Sequence, residues 1–105
     1  MAKYALVFHG GGHPDTPEAE AEVMQAWGVW FASLGDAVVD PGNPVGMSKT
    51  LHADGSVTDD GGSNPVSGIS YISAISDEDD VEKARGCPIL NVGGSIEIAE
   101  VVEMM

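Results

Sequence analysis

Two histidines flank a run of three glycines, His9-Gly10-Gly11-Gly12-His13. An imidazole at the end of a strand can serve as base, acid or metal ligand near neutral pH. A carboxylate at hydrogen-bond distance would complete an acid–base pair, and Asp40, with Asp59 as a second choice, is the candidate partner of His9. We therefore take His9 and Asp40 as the candidate catalytic residues. Asp40 opens a turn-rich segment, Asp40-Pro41-Gly42-Asn43-Pro44, and Ser63-Asn64-Pro65 forms a second one further on. Asn43, Ser63 and Asn64 are candidate ligand-binding residues, because an amide donor can stabilise a developing oxyanion. The competing reading is that these side chains hold their own turns. The two segments flank a hairpin, which would bring them together as the rim of a pocket.

Trp27 and Tyr71 complete the candidate ligand-binding set. Each combines an aromatic wall with one polar hydrogen, and each also suits core packing. His52 sits in a hairpin turn and faces solvent. Cys87, between Gly86 and Pro88, reads as a packing residue, because a reactive thiol needs electropositive surroundings and the chain has 4 basic side chains. The glycine run lacks the spacing of a phosphate-binding loop. His9 and His13 do stand at HxxxH spacing, but across a triple-glycine loop this points to no structured metal site; the chain has no HExxH or CxxC, and no cofactor is expected.

Composition narrows the classes further. The 105 residues suit one domain. With 17 acidic and 4 basic side chains, the formal charge is −13. Such a field repels phosphate backbones and anionic lipid, so neither nucleic acid nor a membrane surface is an expected partner. A single cysteine forms no internal disulfide. The apolar run Tyr4-Ala5-Leu6-Val7-Phe8 is shorter than the core of a signal peptide. The expectation is a soluble cytoplasmic protein.

The elements that position these residues follow from periodicity. Residues 3 to 8 alternate as a strand with apolar side chains on both faces. Thr16 as N-cap and Pro17 at the first helical position open a helix whose stripe is Val23, Trp27, Trp30, Phe31 and Leu34, and Gly35 ends it. Ala37-Val38-Val39 predicts a short buried strand, broken by Pro41-Gly42. Asp54-Gly55 between two short runs predicts a small hairpin extending from the main sheet. Residues 69 to 75 predict a strand. Ser76 and Asp79 then cap a second helix over about 77 to 85. Residues 95 to 103 predict a last strand.

This order, strand–helix–strand–hairpin–strand–helix–strand, predicts an α+β fold of ferredoxin-like βαββαβ type with an extra hairpin. Two helices cover one face of such a sheet. Apolar residues on the other face predict a homodimer through packed sheet faces.

The residues also resemble a known family. Thr58-Asp59 after the Asp-Gly hairpin, Gly68-Ile69-Ser70-Tyr71-Ile72, Ser76-Asp77-Glu78, Ala84-Arg85-Gly86-Cys87-Pro88 and Gly93-Gly94-Ser95-Ile96-Glu97-Ile98 together resemble the YCII-related (DGPF) domain over nearly the whole chain. The resemblance implies a dimeric α+β barrel. Many members carry Thr-Asp-Gly-Pro-Phe where this chain reads Thr58-Asp59-Asp60-Gly61-Gly62-Ser63-Asn64-Pro65. The first helix also lacks the histidine of the family's best-described branch, so that branch's acid–base pair does not transfer. Two functions follow as expectations. One is a small cofactor-independent lyase, isomerase or hydrolase acting on a small polar or aromatic substrate. The other is a non-catalytic metabolite-binding or interaction module.

Overall fold

A computed structural model describes residues 1–12 and 14–103, so the candidate His13 lies outside the described residues. In chain order the elements are β1 (Ala2–His9), α1 (Pro17–Leu34), β2 (Val38–Pro44), β3 (Thr50–Leu51), β4 (Val57–Thr58), β5 (Val66–Ala74), α2 (Asp77–Ala84) and β6 (Ser95–Glu100). Short 3-10 turns follow the helices at Gly35–Ala37 and Pro88–Val92. Four strands form one sheet in the order β2-β5-β1-β6, and every neighbouring pair is antiparallel. This α+β arrangement is compatible with a ferredoxin-like fold. β3 and β4 pair with each other in a separate two-stranded ribbon.

The helix ends follow local chemistry. The Thr16 hydroxyl accepts from the Ala19 N–H at 3.0 Å and satisfies one orphan donor of the first turn. Gly35 ends α1 at φ +57°, where a side chain would be strained. At α2 the Ser76 hydroxyl accepts from the Asp79 N–H. The Asp79 carboxylate reaches back to the Ile75 N–H at 3.0 Å and also holds Lys83.

Three expectations are corrected. β2 runs through Pro41-Gly42 instead of stopping there. The Pro-Gly pair forms a bulge against β5, with the register shifting between Asp40 and Asn43. The Ser70 hydroxyl clips that bulge by donating to the Pro41 carbonyl at 2.6 Å. The strand is also not buried: it lies at the sheet edge, and Val39 is 51% exposed. The last strand ends at Glu100 instead of Glu103, although the Val101 N–H still donates to the Lys3 carbonyl.

Both helices pack on one side of the sheet. The core there comprises Tyr4, Leu6 and Phe8 of β1, Ile72 and Ala74 of β5, Trp30 of α1, and Cys87 and Ile89. The Trp30 indole N–H donates to the Lys83 carbonyl at 2.9 Å and ties α1 to α2. The Tyr4 hydroxyl donates to Asp77 at 2.9 Å and ties β1 to α2.

The other side is open. Ala5, Val7, Ile69 and Tyr71 project there, and none belongs to the core. The molecule is a slab of 44 × 42 × 19 Å. Its radius of gyration, 15.1 Å, exceeds the ~13 Å of a compact domain of this length. Its accessible surface is 7244 Å², whereas a compact monomer of 10.8 kDa exposes about 5,500 Å².

Candidate functional site

His9 is 9% exposed. It is the last residue of β1, on the open side of the sheet. The segment entering β5 crosses over it, placing the Asn64 and Pro65 carbonyls 3.0 and 3.2 Å from Nδ1. On the ring's other edge, Nε2 lies 3.2 Å from Glu97 Oε1. Both nitrogens therefore face acceptors. A neutral imidazole has one N–H and satisfies one side; the imidazolium satisfies both. Glu97 is otherwise exposed, its side chain 68% accessible. The pair can pass a proton between Nε2 and a carboxylate oxygen that still meets solvent.

The strand register shows what shares this face. Residues paired directly across a sheet project to the same side. Asn43, Ile69, Val7 and Glu97 form one cross-strand row. Asp40, Tyr71, Ala5 and Ala99 form the next. The Lys3 ammonium lies 5.2 Å from the centroid of the Tyr71 ring, a cation–π contact on the same side. The open face thus has an apolar middle, with His9 and Glu97 at one end and Asp40 and Asn43 along the β2 edge.

His9 and Asp40 are not brought together. His9 pairs with Val66 and Asp40 with Tyr71, on opposite edges of β5. The stretch from Val66 to Tyr71 spans about 17 Å at ~3.4 Å per residue. The Asp40 carboxylate instead accepts from the Gly42 N–H at 2.8 Å, holding its own turn. The two residues share a face without forming an acid–base pair.

The remaining candidates divide by layer. Asn43 and Tyr71 lie on the open face. Asn64 meets His9 through its backbone carbonyl, while its side chain, like that of Ser63, belongs to an exposed loop. Trp27 lies on the opposite side of the sheet, packed edge-on to Phe8 with ring centroids 5.1 Å apart. It is core-facing and cannot wall a pocket at His9. Two shallow grooves open on the helix side. One runs along α2, lined by Asp77, Val81 and Arg85. The other lies between α1 and the Pro88–Val92 turn, with Trp30 in its lining. Neither includes His9, Asp40 or Tyr71.

The glycine run has a packing role. Gly10, Gly11 and Gly12 all have positive φ, at 73°, 95° and 63°. A Cβ on Gly11 would meet the Ile89 side chain at 2.9 Å, and one on Gly94 would meet the His9 carbonyl at the same distance. The two glycine clusters let the ends of β1 and β6 close around Ile89. His52 is exposed and bonds to Thr58 at 2.6 Å. Cys87 is buried, and burial pushes its thiol up to about 11, so it stays protonated at neutral pH.

Two residues escaped the sequence. Glu97 sits between Ile96 and Ile98, where alternation gives it the face of Ala99 and Val101. A carboxylate interrupting a face of small apolar residues was the available signal. Asp80 is fully buried, and neither of its carboxylate oxygens has a hydrogen-bond partner among the described residues. Desolvation, with help from the charges of Asp77 and Asp79 and against Lys83, raises it to about 6. The hydrogen bond to Asp77, followed by burial, raises Tyr4 to about 12.

No group of three or more His, Cys, Asp or Glu side chains suited to a metal ion occurs among the described residues. No helix among them is long and apolar enough to cross a membrane. No protein-family model matches the chain, and no curated protein matches it. The fold and the site thus define a small α+β protein with one helix-covered and one open sheet face, and with a His–Glu pair at the end of the open one.

Proposed function

We propose that the chain is a YCII-like protein that works as a homodimer. Two copies close their open sheet faces on each other into a dimeric α+β barrel and bind a small polar or aromatic molecule between them. The β3–β4 ribbon is the extra hairpin of that fold. The observation that carries this reading is the pattern of the open face. Val7, Ile69 and Tyr71 form an apolar middle, and the polar groups His9, Glu97, Asp40 and Asn43 border it. An apolar floor with a few convergent polar groups is the usual makeup of a small-molecule site. The surface area supports the dimer. The chain exposes about 1,700 Å² more than a compact monomer of its mass, and a standard interface covers ~800 Å² of each partner. The helix-side grooves hold none of the polar groups named here, so the site would need the second copy to enclose it. The unpaired, unreactive Cys87 suits a reducing compartment, and we place the protein in the cytoplasm.

A second reading gives the same site acid–base chemistry. It is favoured by the placement of Glu97, which bonds to His9 Nε2 and keeps most of its surface in solvent. Glu97 would take or return a substrate proton at its solvent-facing oxygen and share it with His9 Nε2, with the Asn64 and Pro65 carbonyls orienting the ring through Nδ1–H.

The test is amide NMR of the isotopically labelled protein, screened against small polar and aromatic metabolites. Binders are expected to shift Val7, His9, Tyr71 and Glu97 together. Binders that shift only the α1 or α2 grooves would contradict the reading. Catalysis is separated from binding by Glu97→Gln, which removes proton transfer and leaves the apolar floor intact.

A further inference from the structure

The β3–β4 ribbon carries a bare apolar face. Leu51 and Val57 are direct cross-strand partners and so lie on the same side. They are 74% and 57% exposed. The other side is occupied within the ribbon itself. There the Thr50 hydroxyl donates to the Asp60 carbonyl at 2.6 Å, and His52 bonds to Thr58. Met47, at the root of the ribbon, is fully exposed, and Val45 is 42% exposed. A two-stranded hairpin in water is marginal on its own, and this one is joined to no strand of the main sheet. Among the described residues its apolar side stays largely uncovered.

We propose that this ribbon is an arm that lays its Leu51–Val57 face on a second copy of the chain. The proposal rests on the dimer reading above and adds a second contact to it. Area argues for the second copy as occupant. The surplus of about 1,700 Å² is roughly twice what a standard interface takes from each partner. The open sheet face, with Ala5, Val7, Ile69 and Tyr71, takes one such share, and the exposed Leu51, Val57, Val45 and Met47 lie in the remainder. Position argues the same way. The arm leaves the sheet at Pro44 and rejoins it at Val66, with the Val45 N–H bonded to the Ser67 carbonyl at its base. The returning limb, Asn64–Pro65, is the segment that crosses His9. Docking of the arm would therefore hold that limb in place, and one copy would help order the other's site through it.

The experiment is intermolecular paramagnetic NMR. A spin label is attached to Ala53→Cys at the arm tip of unlabelled protein, the native thiol being buried. That protein is mixed with isotopically labelled wild type. The expected result is broadening of amides on the labelled copy. In parallel, Leu51→Asp with Val57→Asp is expected to weaken self-association at least ~10-fold, as removal of central apolar anchors does. Circular dichroism should show the main sheet intact. A dimer in which the label broadens nothing on the other copy, and which the double substitution leaves within ~2-fold of wild-type affinity, would overturn the arm and leave the sheet-face dimer standing. A chain that never dimerises would overturn the dimer reading and the arm with it.

Discussion

His9 Nε2 and Glu97 Oε1 meet at 3.2 Å across the β1–β6 pair, although 88 positions separate them in the chain. Their meeting depends on register, since Val7 pairs with Glu97 and places that carboxylate diagonally beside His9 on the same face. The two partners are unequal: the ring is nearly enclosed and the carboxylate is mostly in water.

That inequality sets the first prediction. Glu97→Gln should change stability by less than about 1 kcal/mol, because a pair with one solvated member contributes little. His9→Ala should cost more, about 1–3 kcal/mol, because it leaves the Asn64 and Pro65 carbonyls without their donor. Urea denaturation of both variants measures the difference. Equal losses would mean that the carboxylate, and not the two carbonyls, anchors the ring.

Asp80 gives a pH prediction. Its folded value of about 6 lies above the ordinary 3.8. Between those two values the folded chain keeps a proton that the unfolded chain releases. Stability from this group is therefore fully present below about pH 4, falls as pH rises toward 6, and stays low above it. Asp80→Asn should gain about 1–3 kcal/mol at pH 7. The gain should fade as the pH is lowered through 6 to 4. Denaturation midpoints across that range provide the check, and a gain independent of pH would contradict the assignment.

Gly42 gives a backbone prediction. It has φ +68°, and a Cβ there would overlap the Ile69 carbonyl oxygen. Gly42→Ala should therefore cost about 2–4 kcal/mol and loosen the β2–β5 bulge. Gly62 has φ +89° with nothing near its virtual Cβ. The same change there should cost only the conformational penalty of about 1–2 kcal/mol. Thermal unfolding of the two variants compares them directly.

These features differ in how far the sequence discloses them. The caps at Thr16 and Ser76 and the stop at Gly35 are written in a few adjacent residues, and the helices begin and end where those residues dictate. The alternation in β1 and β5 also sorts their residues correctly between two faces. β2 is different. Pro41-Gly42 locally breaks a strand, and only the fit of Gly42 to the Ile69 carbonyl and the bond from Ser70 carry the strand through it. The candidate site fails for a similar reason. His9 and Asp40 are each well chosen for chemistry, but their distance is set by the pairing of three strands, which no local pattern encodes. Trp27 has the spacing of a stripe residue, and the stripe turns out to face Phe8 on the side of the sheet away from His9.

The open sheet face is the centre of this account, and sedimentation equilibrium tests it most directly. At ~10–50 μM, where a standard-sized interface holds, the wild-type chain should sediment at twice its 10.8 kDa mass. Val7→Asp, which places a charge in the middle of the apolar row, should return it to a folded monomer. A wild-type chain that sediments as a monomer, or a Val7→Asp variant that dimerises as well as wild type, would contradict it.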